Sequence, residues 1–294
     1  MKIHYPDYPF KSNYLPLKNG RLHFIDEGKG PVIVMVHGNP TWSYYFRKLI
    51  SLLSTNYRVV AIDHMGCGLS DKPQKYLYTL QQHIENLELL LSHLEIDRFS
   101  LIVHDWGGAI GLGCGGRRPR SIEKIIVMNS GAFRSSRIPF RISLCRGPLL
   151  GELIVRLFNG FAWPAIFMAV EKKLKKEVAT AYLSPYDNWA NRIAVYSFVK
   201  DIPMKEKHPS YKQLVEIEKN LGTLRELKIP FLLLWGGRDF CFNDSFYNEW
   251  ADRFPLAEKH YFQDGGHYIL EDKFAEISPI ISKFFKIEEV RDEE

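Results

Sequence analysis

The chain has 294 residues, 46% of them hydrophobic and 25% charged, a balance that excludes intrinsic disorder and suits one large domain or one domain with an insertion. Its formal net charge of +5 is modest and comes with no nucleic-acid-binding motif, which excludes nucleic acid as a partner. The four cysteines, Cys67, Cys114, Cys145 and Cys241, are scattered without paired metal spacing, so neither a disulfide nor zinc is expected, as befits a reducing cytoplasm.

The first stretch, "MKIHYPDYPFKSNYL", lacks the apolar core of a secretory signal. Beyond it, β-rich runs recur with helical patterns between them: "RLHFIDEG", "PVIVMVHG", "YRVVAID", "FSLIVHD", "KIIVMNS", and later "PFLLLWG" and "EKHYFQD". Continuous Val/Ile/Leu runs predict parallel strands buried on both faces, with the helices as crossovers. The expected fold class is therefore α/β, a mostly parallel sheet flanked by helices. The gap between "KIIVMNS" and "PFLLLWG" is too long for a crossover and predicts an inserted helical cap over 133–222, with 1–132 and 223–294 forming the core. Within it, "ELIVRLFNGFAWPAIFMAV" is interrupted by Arg156, Asn159 and Pro164, which argues against a membrane span. Residues 133–176 hold nine Lys or Arg against Glu152 and Glu171 alone. That charge reads first as a solvated helix face; an acidic partner, a membrane surface or a carboxylate-bearing substrate are the functional readings. The acidic end "KIEEVRDEE" reads as a frayed terminus.

In open α/β sheets reactive groups gather at the carboxyl ends of the strands. The runs are followed in turn by His37-Gly38-Asn39-Pro40, Asp63-His64-Met65-Gly66, Asp105-Trp106-Gly107, Asn129-Ser130, Gly237-Arg238-Asp239 and Gly265-Gly266-His267. In "LIVHDWGGAIG", Asp105 occupies the position of the nucleophile in a strand–turn–helix elbow, although an Asp there also suits a simple helix N-cap. His267 is the best base, in a glycine loop after the last strand. Asp239 is the group expected to orient its ring, with Asp244 a weaker substitute. An aspartate needs no deprotonation to attack, so His267 would act later, on water that resolves an ester of Asp105. Backbone N–H groups of Asn39 and Trp106 are candidates for the oxyanion hole. No cofactor and no metal are implied.

Five motifs in order, "VHGNPTWSYYFR", "DHMGCGLSDKP", "VHDWGGAIG", "WGGRDF" and "GGHYILED", resemble the haloalkane dehalogenase family of α/β-hydrolases over nearly the whole chain. The resemblance implies that Asn39 and Trp106 donate N–H groups to a departing halide, and that the acid is Asp239, since Asn129 and Ser130 stand where some relatives keep a Glu. The cap sequence resembles the subgroup that includes the β-lactone decarboxylases of bacterial olefin synthesis. The leading expectation, by a small margin, is carbon–halogen hydrolysis on a small apolar substrate; the alternative is decarboxylation of a long-chain β-lactone to an alkene and carbon dioxide. An epoxide hydrolase would polarise its substrate with cap tyrosines, for which Tyr182, Tyr186, Tyr196 and Tyr211 are available. A fluoroacetate-type enzyme is disfavoured by His64 where arginines are expected, and a binding protein on a retired hydrolase fold by the complete Asp105, Asp239 and His267 set.

Overall fold

A computed structural model describes residues 5–287; most of the acidic end, 288–294, lies outside them. Eight strands form one sheet: β1 (Asn13–Leu17), β2 (Gly20–Glu27), β3 (Val32–Val36), β4 (Arg58–Ile62), β5 (Phe99–Asp105), β6 (Ile122–Ser130), β7 (Phe231–Gly236) and β8 (Glu258–Phe262). Their order is β1-β2-β4-β3-β5-β6-β7-β8, with β3 to β8 parallel and β1 and β2 antiparallel at one edge. All seven expected runs are strands. The unexpected one is β1, which contains Pro16 and pairs on one side only, so it lacks the apolar pattern of a central strand.

The helices are α1 (Arg47–Leu53), α2 (Leu80–His93), α3 (Trp106–Arg117), α4 (Phe140–Cys145), α5 (Leu150–Glu152), α6 (Ala162–Met168), α7 (Lys176–Leu183), α8 (Ile193–Lys200), α9 (Tyr211–Glu226), α10 (Asp244–Arg253), α11 (Ile269–Asp272) and α12 (Phe274–Phe285), with a π turn at Leu153–Leu157. Alternation along the strands divides the core in two. Val34, Val36, Leu101 and Val103 face α2, α3, α9 and α10, while Ile33, Met35, Ile102 and Met128 face α1 and α12. Each such side chain, fully buried, contributes about 1.5–3 kcal/mol. This two-sided burial is why the central strands read as unbroken apolar runs.

Cap residues form a third, smaller cluster in which Cys145, Val155, Tyr186, Val195 and Val199 pack together. Helix α9 does not belong to it: Leu214, Ile217, Leu221 and Leu224 join the main core beside α3. The expected boundary at 222 therefore falls inside a continuous helix. Gly115 and Gly116, late in α3, lie in regular buried helix. A Cβ on Gly116 would stand 2.9 Å from Asn220 Cβ, so a side chain there would push α9 away.

Candidate active site

Strand β5 ends in a strained turn. Asp105 has φ 53° and ψ −129°, a conformation that costs about 1–3 kcal/mol and persists only where the surroundings hold it. The Ser130 hydroxyl holds it by donating to the Asp105 carbonyl. The Asp105 carboxylate makes no capping bond to α3, which removes the N-cap reading. Its Oδ1 instead accepts the backbone N–H of Asn39 at 2.7 Å. Gly38 is obligatory beside it, because a Cβ there would overlap the carboxylate.

On the other side, His267 Nε2 lies 3.4 Å from Asp105 Oδ2, and Nδ1 donates to Asp239 Oδ2 at 2.7 Å. Burial disfavours a charged imidazole, but the carboxylates of Asp239 and Asp105 outweigh it and raise His267 to about 10. Burial likewise opposes ionisation of Asp239, yet His267 and the N–H groups of Cys241 and Phe242 keep its carboxyl below the usual range. Asp244 stands apart: it opens α10 and accepts the Tyr261 hydroxyl at 2.6 Å. The structure thus brings Asp105, His267 and Asp239 together and leaves Asp244 out.

Three supporting residues escaped sequence reasoning. Asn129 has φ 37° and is the extra residue in a β-bulge, since His104 pairs with Met128 and Asp105 with Ser130. The bulge aims its amide at β7: Oδ1 accepts Gly236 N–H at 2.9 Å, and Nδ2 donates to Asp239 Oδ2 at 3.0 Å. His104 donates from Nε2 to the His267 carbonyl at 2.8 Å and stacks on Tyr45 at 4.3 Å. Burial lowers it to about 3, so it stays neutral. Asp272 accepts N–H groups of Gly266 at 2.8 Å, Glu171 at 3.0 Å and Lys172 at 2.9 Å, tying the His267 loop to the chain after α6. The signal for Asp272 was its place in "GGHYILED".

Asp105 and His267 open onto a cavity of about 390 Å³, within the size range of small-molecule sites. Asn39 and Trp106 line it too, and most of the remaining wall is apolar, including Ile142, Ile154, Phe161, Met168 and Val199. One N–H of the Asn39 amide is bonded to the Val195 carbonyl of α8 at 3.1 Å, which couples this donor to the cap. Among the described residues that line the cavity, none is Tyr182, Tyr186, Tyr196 or Tyr211. Tyr186 and Tyr196 donate to the carbonyls of Thr41 and Gly147, and Tyr182 to Glu271. The epoxide reading thereby loses its polarising groups. His64 is buried and donates to the His37 carbonyl at 2.9 Å. Among the described residues no three His, Cys, Asp or Glu are arranged to hold a metal ion.

A family model described as the alpha/beta hydrolase fold matches residues 31–274. The chain belongs to the α/β-hydrolase family. It is 41% identical over 283 residues to the cis-3-alkyl-4-alkyloxetan-2-one decarboxylase of Shewanella oneidensis, covering 94% of this chain and 88% of that protein. To haloalkane dehalogenase 2 of Mycobacterium tuberculosis it is 29% identical, with 95% and 96% covered. The crystal structure of the haloalkane dehalogenase DatA from Agrobacterium tumefaciens superposes with a TM-score of 0.84 at 23% identity, covering 95% of this chain and 97% of that one. The chain is an enzyme of this family, similar to β-lactone decarboxylases and, more distantly, to haloalkane dehalogenases.

Proposed function

We propose that this α/β-hydrolase decarboxylates a cis-3,4-dialkyl β-lactone to a cis-alkene and carbon dioxide. The observation that carries this reading is the graded likeness, 41% to a decarboxylase against 29% to a dehalogenase, each over nearly the whole chain. Both readings have relatives among these proteins, and the higher identity moves the choice from halide hydrolysis to its alternative. The apolar cavity supports it, because two alkyl branches need such walls. The four free cysteines support a cytoplasmic setting.

The geometry suggests the steps. Asp105 attacks the ring carbon that bears the lactone oxygen; that C–O bond breaks, and the ring oxygen leaves as part of a carboxylate still attached to the neighbouring carbon. The side-chain N–H groups of Asn39 and Trp106 are the donors assigned to that anion. The bond to the carboxylate carbon then breaks, its electron pair forms the alkene, and Asp105 is expelled as carbon dioxide departs. Attack opposite the ring oxygen leaves the new ester anti to the breaking C–C bond, so the cis-alkene forms without rotation. No water is consumed. His267, charged because it stands between two carboxylates, steadies Asp105 as its negative charge returns.

Dehalogenation uses the same residues with one difference. Alkylation removes the charge on Asp105, so His267 loses one of the anions that raise it and becomes able to deprotonate water. The test offers purified enzyme a long-chain cis-β-lactone and a bromoalkane separately in heavy-oxygen water. Alkene from the lactone with feeble bromide release is the expected result. Labelled alcohol and bromide at a useful rate, with no alkene, would overturn the proposal in favour of dehalogenation.

A further inference from the structure

The segment from α4 to α7 presents apolar side chains in two directions. Ile154, Phe161, Pro164 and Met168 line the cavity. From the same short helices and their connections, Leu149 is 79% exposed, Phe158 72%, Trp163 55% and Phe167 51%. Trp163 and Phe167 lie one turn apart on α6, with ring centroids 5.0 Å apart. Leu150–Leu157 and Ala162–Met168 meet at a bend of 71°, and no single helix in the described chain is long and apolar enough to cross a membrane.

The charges around this face have a definite layout. Arg134 and Arg156 are paired, with Glu218 and Glu152. Arg137 and Arg141 before the apolar residues, and Lys172, Lys173, Lys175 and Lys176 after them, are exposed and have no carboxylate partner among the described residues. Arg137, Arg141 and Leu144 also line the cavity, so its mouth opens on this side.

We propose that this face docks on an anionic lipid surface, and that the cavity loads its substrate from there. Bent short helices with exposed Trp, Phe and Leu suit the boundary between headgroups and acyl chains, and unpaired cations on both flanks suit lipid phosphates. The loading half rests on the long-chain lactone reading: such a substrate partitions into lipid, and the apolar wall of the cavity continues the apolar exterior. A protein partner would leave the link between the mouth and the patch without a purpose.

Two variants separate the contributions: Phe158→Ser/Trp163→Ser/Phe167→Ser removes apolar contacts, and Lys173→Gln/Lys175→Gln removes charge. None of these residues lines the cavity. Binding is read by co-sedimentation with phosphatidylcholine vesicles, with and without phosphatidylglycerol, and turnover is read on a soluble short-chain β-lactone and on a long-chain one carried in the vesicles. Wild type should sediment with the anionic vesicles, weaken about five-fold per Lys removed, and release in high salt. The triple variant should stay in solution and lose vesicle-borne turnover while keeping short-chain turnover. Wild type that stays in solution with both vesicles, or variants that bind as wild type does, would overturn the proposal and leave an acidic protein as the occupant of the face. Vesicle binding without turnover of either lactone would sustain docking and sink only the decarboxylase reading.

Discussion

The strand ends and the cap above them treat their side chains in opposite ways. Around Asp239, at the end of β7, polar groups are buried and partnered: its carboxylate alone accepts from His267, Asn129, Cys241 and Phe242. In the cap, large apolar groups such as Leu149 and Phe158 are left in solvent and the helices are short. Satisfied buried networks have one low-energy arrangement, which suits the role proposed for Asp105, a carboxylate that would meet a carbon atom in line. A loosely cored cap with two apolar surfaces suits admission of a flexible chain. On the proposed function, chemistry belongs to one region and access to the other.

The sharpest break of that division is Asp105→Asn. It should cost on the order of 10⁵-fold in turnover while leaving the fold intact, since an amide keeps an oxygen that can accept the Asn39 N–H and the size of the side chain is unchanged. It also tests the electrostatics, because removal of one anion must lower His267 from about 10, a shift readable in the proton NMR titration of its ring. The stability consequence has a definite sign. A histidine raised above its ordinary 6.5 stabilises the fold fully below that pH and loses the contribution as pH rises through about 10, so the variant should lose it earlier. Retained turnover would end the assignment of Asp105 as nucleophile.

Next in size is Asp239→Asn, expected to cost roughly 10³–10⁴-fold by releasing the His267 ring, whereas Asp244→Asn should leave turnover unchanged. The difference rests on geometry: Asp239 lies 2.7 Å from His267 Nδ1, while Asp244 is bonded to Tyr261. A reversed result would move the orienting acid to Asp244.

Legibility followed the same division. The parallel strands were readable because burial on both faces forces long Val/Ile runs, and Asp105, Asp239 and His267 because they follow those runs directly. Asn129 was visible only as a missing acid: a bulge that turns its amide toward Asp239 depends on the pairing of β5 with β6, which no local pattern reports. Edge strand β1 has one partner and carries Pro16. Gly116 in α3 has no local signal, because its reason is the approach of Asn220 on α9, more than a hundred positions later. Asp272 lay inside a recognised motif, but its three backbone partners come from two loops that the fold alone brings together.

The smallest expected effect belongs to the cap. Leu144 both lines the cavity and stands partly in solvent, beside Arg141 at the mouth. Leu144→Trp would narrow the passage without touching Asp105, His267 or Asp239. If the cap governs access, kcat/KM for a long-chain lactone should fall about ten-fold, the scale of overpacking by a kcal/mol or two. A short-chain lactone should be turned over as before, and His267 should titrate as in wild type. Equal losses on both substrates, or a displaced His267 titration, would mean that the cap and the strand ends act as one unit and that their apparent division of labour is false.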